Sequence, residues 1–259
     1  MSSIRVSVVP CLTDNFAYLV RCVKTGATAV VDPSEAKPIF DALGERGRLD
    51  AVWATHHHFD HVGGIAELLG RFDVPVVGHA SESARIPKLS KPVNDGDSFS
   101  FGELIVSVLH VPGHTTGAIA FVVRGTEGAN AVFTGDTLFL SGCGRMFEGT
   151  PDMMATSMQR LAGLDGDTEV YCGHEYTEAN LRFAAHIEPK NERVAALQVS
   201  VRAARARGEP SVPSTIERER AANPFLRLTE GTVKSGAHVP DDADASRVFA
   251  ALRSAKDSF

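Results

Sequence analysis

The sequence predicts an α/β (α+β) fold over the first 174 residues, followed by a small all-helical domain at 175–259. Three observations carry this. Short β-branched and aromatic runs alternate with segments of helical spacing as far as Cys172. Beyond Tyr176 strand signals stop, and proline-punctuated amphipathic segments take over. Four of the predicted strands, finally, end by delivering histidine or aspartate into the adjoining loop.

Taken in order, Ile4 to Val9 and Tyr18 to Val23 read as antiparallel strands, bounded by the turn formers Pro10, Asp14, Asn15 and Gly26. Thr28 to Val31 is a continuous apolar strand ending at Asp32-Pro33, where the proline forces extended or turn geometry on the aspartate. Asp32 reads equally as a turn aspartate or as a carboxylate that orients a metal-bound histidine. Ala36 to Arg46 has helical spacing, and Leu49 to Ala54 is the next strand. Gly63-Gly64 precedes a helix built on Ile65, Leu68, Leu69 and Phe72, and Pro75 to Gly78 is a short strand ending near His79, read as a turn histidine. Two strands separated by Gly102 fill Phe99 to Val111, followed by strands at Ile119 to Val123 and Ala131 to Phe133, a helix at Met153 to Leu164 and a strand at Glu169 to Cys172. Helices are predicted at Glu178 to His186, Arg193 to Arg207, Thr215 to Asn223 and Ala245 to Ala255, with Ser214 and Glu217 at capping-box spacing. Arg202, Arg205 and Arg207 form a basic, solvated helix face.

Composition narrows the class of function. Apolar residues at 43% and charged residues at 22% are ordinary for a soluble globular protein. A net charge of -6 gives no support for binding nucleic acid or an anionic membrane. No apolar run approaches the ~20 residues that span a bilayer, and the N-terminus lacks a secretory pattern, so a cytoplasmic protein is expected. Cys11, Cys22, Cys143 and Cys172 form no CxxC pair, which indicates neither a disulfide framework nor a thiolate zinc finger.

The chemistry concentrates at the strand ends. Thr55-His56-His57-His58-Phe59-Asp60-His61 places an HxHxDH spacing directly after a strand, and imidazole with carboxylate suits one or two divalent cations. A Pro-Gly turn delivers His114, an apolar strand runs into Gly135-Asp136, and the last strand of this half ends at Gly173-His174. His56, His58, Asp60, His61, His114, Asp136 and His174 are thus the candidate ligands.

Together and in this order, the motifs THHHFDHVGG, PGHTTG, FTGDTLF, CGRMFEGT, GHEYT, NPFLRL and AKDSF resemble the metallo-β-lactamase superfamily, and within it the glyoxalase II (hydroxyacylglutathione hydrolase) family. The resemblance spans nearly the whole chain. It implies an αββα sandwich as catalytic domain (1–174) and a helical substrate-binding domain (175–259). It assigns His56, His58 and His114 to one metal, Asp60, His61 and His174 to a second, and Asp136 to the bridge between them. Two divalent cations are implied, with zinc expected and iron or manganese admitted by the same donors. By the same resemblance, Asp60 and Asp136 would be ligands that position a metal-bridging hydroxide, expected to attack the thioester of S-D-lactoylglutathione and release glutathione and D-lactate, a step in methylglyoxal detoxification. His57 and His110 fall outside the ligand pattern and are expected to be structural.

The resemblance places glutathione against Arg145, Phe147, Tyr176, Arg253 and Lys256. Arg253 and Lys256 stand three apart on the last predicted helix, so both can face one carboxylate. The sequence departs from the family pattern twice: Phe147 stands where tyrosine is usual, and Ala118 where GHTxGH expects histidine. Neither departure removes a metal ligand; both bear on glutathione affinity and substrate. The expected partner is a small-molecule glutathione thioester, with no nucleic acid or membrane, and the protein is expected to be a monomer. Other hydrolases on this fold (a lactonase, β-lactamase or nuclease), a mononuclear-iron persulfide dioxygenase and a non-catalytic metal-binding scaffold are the competing readings. Retention of all seven ligands and of the helical domain weighs against them.

Overall fold

The computed structural model describes residues 3–125 and 130–259. They divide into two compact units, one comprising residues up to 110 with 117–135 and the other 111–116 with 136–259.

The first unit opens with a hairpin of β1 (Ile4–Cys11) and β2 (Asn15–Cys22), in which Cys11 faces Asn15 and Ile4 faces Cys22. Strand β3 (Thr28–Val31) pairs antiparallel with β2. A crossover through helix α1 (Ala36–Leu43) brings β4 (Ala51–Trp53) in parallel to β3, as strand–helix–strand connections require. Two short helices, α2 (Phe59–Val62) and α3 (Ile65–Leu69), then lead to β5 (Val76–His79) and β6 (Lys91–Val93), both parallel additions. Strands β7 (Ser98–Phe101), β8 (Leu104–His110), β9 (Ile119–Arg124) and β10 (Asn130–Gly135) pair antiparallel in sequence order. Between these two sets of strands lies an aromatic layer centred on Trp53, fully buried, with ring centroids 5.1 Å from Phe101, 5.4 Å from Phe121 and 5.9 Å from Phe99. Ile39, Ile65 and Leu68, from α1 and α3, join Val30 and Val52 in a core on the helix-covered side of the first sheet. Full burial of each such side chain contributes roughly 1.5–3 kcal/mol, which fixes the sheet that carries the metal loop.

The second unit contains the strand pair β11 (Leu138–Phe139) and β12 (Gly142–Cys143), helix α4 (Pro151–Ala162) and strand β13 (Glu169–Cys172). Helices α5 (Thr177–Ile187) and α6 (Glu192–Ala206) follow, then β14 (Ser214–Thr215), α7 (Ile216–Ala222), α8 (Gly231–Gly236) and α9 (Ala245–Ser258). Leu181 and Ala184 of α5 meet Val194 and Val201 of α6 in one cluster, and Phe225 stacks on Phe183 and meets Phe249 at a tilt. Side chains of Thr150, Asn191 and Asp244 accept from backbone N–H groups at the starts of α4, α6 and α9.

Three local expectations are corrected. Helix α1 stops at Leu43, short of Arg46, because Gly44 adopts φ 73° and returns its N–H to Phe40 O. Strand structure does occur beyond Tyr176: Ser214 and Thr215 pair with Val170 and Glu169. Thr215, and not Ser214, caps α7, its hydroxyl accepting from Arg218 N at 3.3 Å; Ser214 Oγ instead donates to the buried Glu219 at 2.6 Å. Among the described residues no helix is long and apolar enough to cross a membrane.

Candidate metal centre and adjoining cavity

In the first unit, β4 ends at Trp53 and the chain passes through Thr55 into the histidine loop, then into the single turn α2 that presents Asp60 and His61. The turn closes on hydrogen bonds from His61 N and Val62 N to His58 O. A Cβ on Gly64 would lie 2.8 Å from Pro33 O, so the glycine lets the segment after β3 pass against the loop, sealed by Gly64 N donating to Pro33 O. That approach brings in Asp32, which is buried with φ 47°, a conformation aspartate tolerates better than most residues.

Asp32 is the organising carboxylate of this half. Its Oδ1 accepts from Thr55 N at 2.8 Å, and its Oδ2 accepts from Thr55 Oγ1 at 2.6 Å and lies 3.0 Å from His61 Nδ1. The single hydroxyl proton of Thr55 is committed to Asp32, so the 3.0 Å contact between Thr55 Oγ1 and His56 Nδ1 is donated by the ring. Both imidazoles therefore carry their proton on Nδ1 and present the Nε2 lone pair, the tautomer a cation needs. His56 lies 4.8 Å from His58 and 4.2 Å from His61, centroid to centroid. Asn15 Nδ2 donates to Asp60 Oδ2 at 3.0 Å and to Asp60 O at 3.1 Å, holding that carboxylate in place.

The second unit repeats the pattern. His114 Nδ1 lies 2.8 Å from the carbonyl oxygen of Arg145 and donates to it, which again leaves Nε2 as the ligand atom. Asp136 Oδ2 lies 3.4 Å from His114 Nε2 and 3.3 Å from His174 Nε2. His174 is stacked on Tyr176 at 4.8 Å with Phe139 edge-on to both. Buried imidazoles of fixed tautomer beside acceptor carboxylates form a donor set that fits a divalent cation.

Arg145, Phe147, Tyr176, Arg253 and Lys256 line one cavity of about 430 Å³ together with His114 and Asp136. Arg253 is 5% exposed; its Nη1 donates to Cys143 O at 3.2 Å and its Nη2 to Asp257 Oδ1 at 2.8 Å. Asp257 also lies 3.6 Å from Arg145 Nε. Lys256 Nζ donates to Ala179 O at 3.3 Å, and burial, then the charge of Arg253, lowers its ammonium to about 8. Cys143, against the same arginine, is pushed up to about 12 by burial and stays a thiol. A larger groove of about 920 Å³ elsewhere in this unit is braced by Glu188, whose carboxylate is taken up by Arg227 and Thr232.

His110 stacks flat on His79 at 4.6 Å, and Arg205 and Arg207 are drawn to Glu175 and Glu209. The sequence marks Asn15 only as a turn former, and Thr55 and Asp257 only as members of the THHHFDHVGG and AKDSF motifs; nothing in their local spacing points to the contacts they make.

Two family models match: the metallo-beta-lactamase superfamily over residues 13–174, and the hydroxyacylglutathione hydrolase C-terminus over 175–259. They meet at 174/175, whereas compactness divides the chain elsewhere. A hydroxyacylglutathione hydrolase of Ruegeria pomeroyi is 46% identical over 257 residues, 99% of each chain. One from Pseudomonas fluorescens is 44% identical over 261 residues, 99% of this chain and 100% of the relative. Among solved structures, ETHE1 from Myxococcus xanthus shares the fold at 22% identity with a TM-score of 0.65, covering 98% of each chain. A protein crystallised in a di-iron-bound form is 32% identical with a TM-score of 0.52, over 66% of this chain and 91% of that one. With this fold, the buried histidine and aspartate cluster is a divalent-metal site.

Proposed function

Because the chain belongs to the hydroxyacylglutathione hydrolase family of the metallo-β-lactamase superfamily, we propose that it hydrolyses the thioester of S-D-lactoylglutathione or a close 2-hydroxyacyl analogue, yielding glutathione and the hydroxy acid. The observation that carries the reading is the cavity of the second unit, with the ligand-type residues His114 and Asp136 in its wall together with the cationic Arg253 and Lys256. A substrate with a reacting thioester at one end and carboxylates at the other matches that lining. Residues 1–174 then act as the catalytic domain and 175–259 as the substrate-binding domain.

In this reading His56, His58 and His114 would hold one cation, Asp60, His61 and His174 would hold another, and Asp136 would be a ligand to both. Bound divalent cations supply solvent activated near neutral pH and a Lewis acid for the thioester carbonyl. The protein's own contribution is preorganisation. Asp32 and Thr55 keep protons on Nδ1 of His61 and His56, and the Arg145 carbonyl does the same for His114. Asn15 prevents Asp60 from turning away. Arg253 and Lys256 bind glutathione carboxylate, and the rings of Tyr176 and Phe147 flank the tripeptide. The leaving thiolate, with a free thiol pKa of about 8.5, departs without a strong general acid. Zinc is the proposed metal, with iron and manganese as the alternatives, and the protein is proposed to be a cytoplasmic monomer.

The test is loss of the S-D-lactoylglutathione thioester with metal-replete wild type, Asp136→Ala and Lys256→Ala. The reading expects turnover by wild type, its loss in Asp136→Ala and a raised KM in Lys256→Ala. An inactive metal-replete wild type would sink the hydrolase reading, and an unchanged KM would sink the substrate pocket. Elemental analysis identifies the metals, and light scattering on a sizing column reads the oligomeric state.

A further inference from the structure

Glu82 is a carboxylate with no solvent exposure, and the proposed reaction gives it no task. It closes the 3-10 turn Ala80–Glu82 that follows β5. Its Oε2 lies 2.6 Å from Nδ1 of His57, the residue between the ligand positions His56 and His58, and its Oε1 accepts from Nη2 of Arg85 at 3.2 Å. Nη1 of Arg85 reaches Nε2 of His57 at 3.3 Å. A guanidinium only donates, so Nε2 of His57 is the acceptor and the ring proton sits on Nδ1 against the carboxylate. Nε2 of His57 is thereby hydrogen-bonded, Nδ1 meets Glu82 as a close polar contact and not an aligned hydrogen bond, and the buried charge of Glu82 is matched by Arg85. Chemistry alone does not distinguish the three consecutive histidines of the loop; this triangle does.

The second histidine motif makes room for the same carboxylate. A Cβ on Gly117, the last residue of PGHTTG, would lie 2.1 Å from Glu82 Oε1. The glycine is thus spatially required by Glu82.

We propose that Glu82 is a positioning residue for the metal loop: by engaging His57 it holds the backbone between His56 and His58 so that their rings stay 4.8 Å apart, edge to face, and it denies the cation a competing imidazole. The inference rests on the metal-centre reading above, with His56 and His58 as ligands.

The experiment measures zinc bound per chain and the zinc Kd by chelator competition for wild type, Glu82→Gln and His57→Gln, with the Tm of each metal-free protein as a fold control. Zinc affinity is expected to fall about tenfold or more in both variants, the range typical of residues that orient ligands, while the metal-free Tm holds. A purely structural role would move Tm and zinc affinity together. Unchanged zinc affinity in the folded variants, or a loss that tracks a matching fall in metal-free Tm, overturns the proposal. Should Glu82→Gln fail to fold, His57→Gln decides alone. A wild type that takes up no zinc would overturn the zinc-centre reading itself and this inference with it, whereas full affinity in wild type and variants alike removes this inference only.

Discussion

Asp32 Oδ2 stands 3.0 Å from Nδ1 of His61 while also accepting the hydroxyl proton of Thr55, so one buried carboxylate sets the tautomer of two imidazoles. Asp32→Asn keeps the volume and the tolerance for φ 47° but leaves one acceptor oxygen for three donors. Metal affinity is expected to fall by about 10- to 100-fold, with the metal-free protein still folded. Chelator competition checks this, and an unchanged affinity would show that His61 and His56 orient without Asp32.

Glu219 is the corresponding buried acid of the second unit. Its oxygens accept from Ser141 N at 2.7 Å, Ser214 Oγ at 2.6 Å and Asn223 Nδ2 at 3.1 Å, and Ser141 is held at φ 55° just before Cys143. Glu219→Ala would strand two buried donors, Ser141 N and Ser214 Oγ, while Asn223 Nδ2 keeps the carbonyl oxygens of Phe139 and Gly142. A destabilisation of about 3 kcal/mol or more is expected, seen as a lower Tm in a thermal melt of the metal-free protein. A Tm within about a degree of wild type would mean that water or neighbouring groups replace the acceptor.

What could be read in the sequence was whatever is local. Thr28–Val31 and Glu169–Cys172 are continuous apolar runs, and the structure forms strands over those residues. Lys91–Val93 escaped notice because Pro92 argues against a strand; it is tolerated at the sheet edge, where a missing donor costs little. Ser214–Thr215 is too short to have any period, and its order comes from pairing with β13. The candidate ligands were visible because four lie within six residues and the others follow strand ends. Their supports were not: Asn15 reaches Asp60 across 45 residues of sequence, and Glu82 meets His57 from a separate turn. Asp32 lay between these cases, open as a turn residue until its partners were seen.

Phe147 is 65% exposed in the wall of the cavity, its ring edge-on to His114 at 5.2 Å. Phe147→Tyr restores the hydroxyl usual in the family at a position where solvent already reaches. One added hydrogen bond contributes about 1 kcal/mol, so KM for the glutathione thioester is expected to fall several-fold with kcat unchanged. Steady-state kinetics on both proteins measure it. A KM that does not move would place the glutathione amides out of reach of this ring.

Lys256 gives the proposed enzyme an alkaline limit. Burial, then the neighbouring Arg253, brings its ammonium down to about 8, so in the free protein it is charged below that pH and neutral above it. A carboxylate ligand favours the charged form. Affinity for the glutathione thioester is therefore fully present below about 8 and is lost as pH rises through that value, which appears as a fall in kcat/KM. Lys256→Arg stays charged throughout, because guanidinium does not titrate in this range. Its kcat/KM should hold flat from neutral pH to about 10, even if its absolute value is lower because the fork of the guanidinium fits the site differently. Profiles of kcat/KM against pH for the two proteins decide the matter: an alkaline fall that persists unchanged in Lys256→Arg would assign the limit to another group.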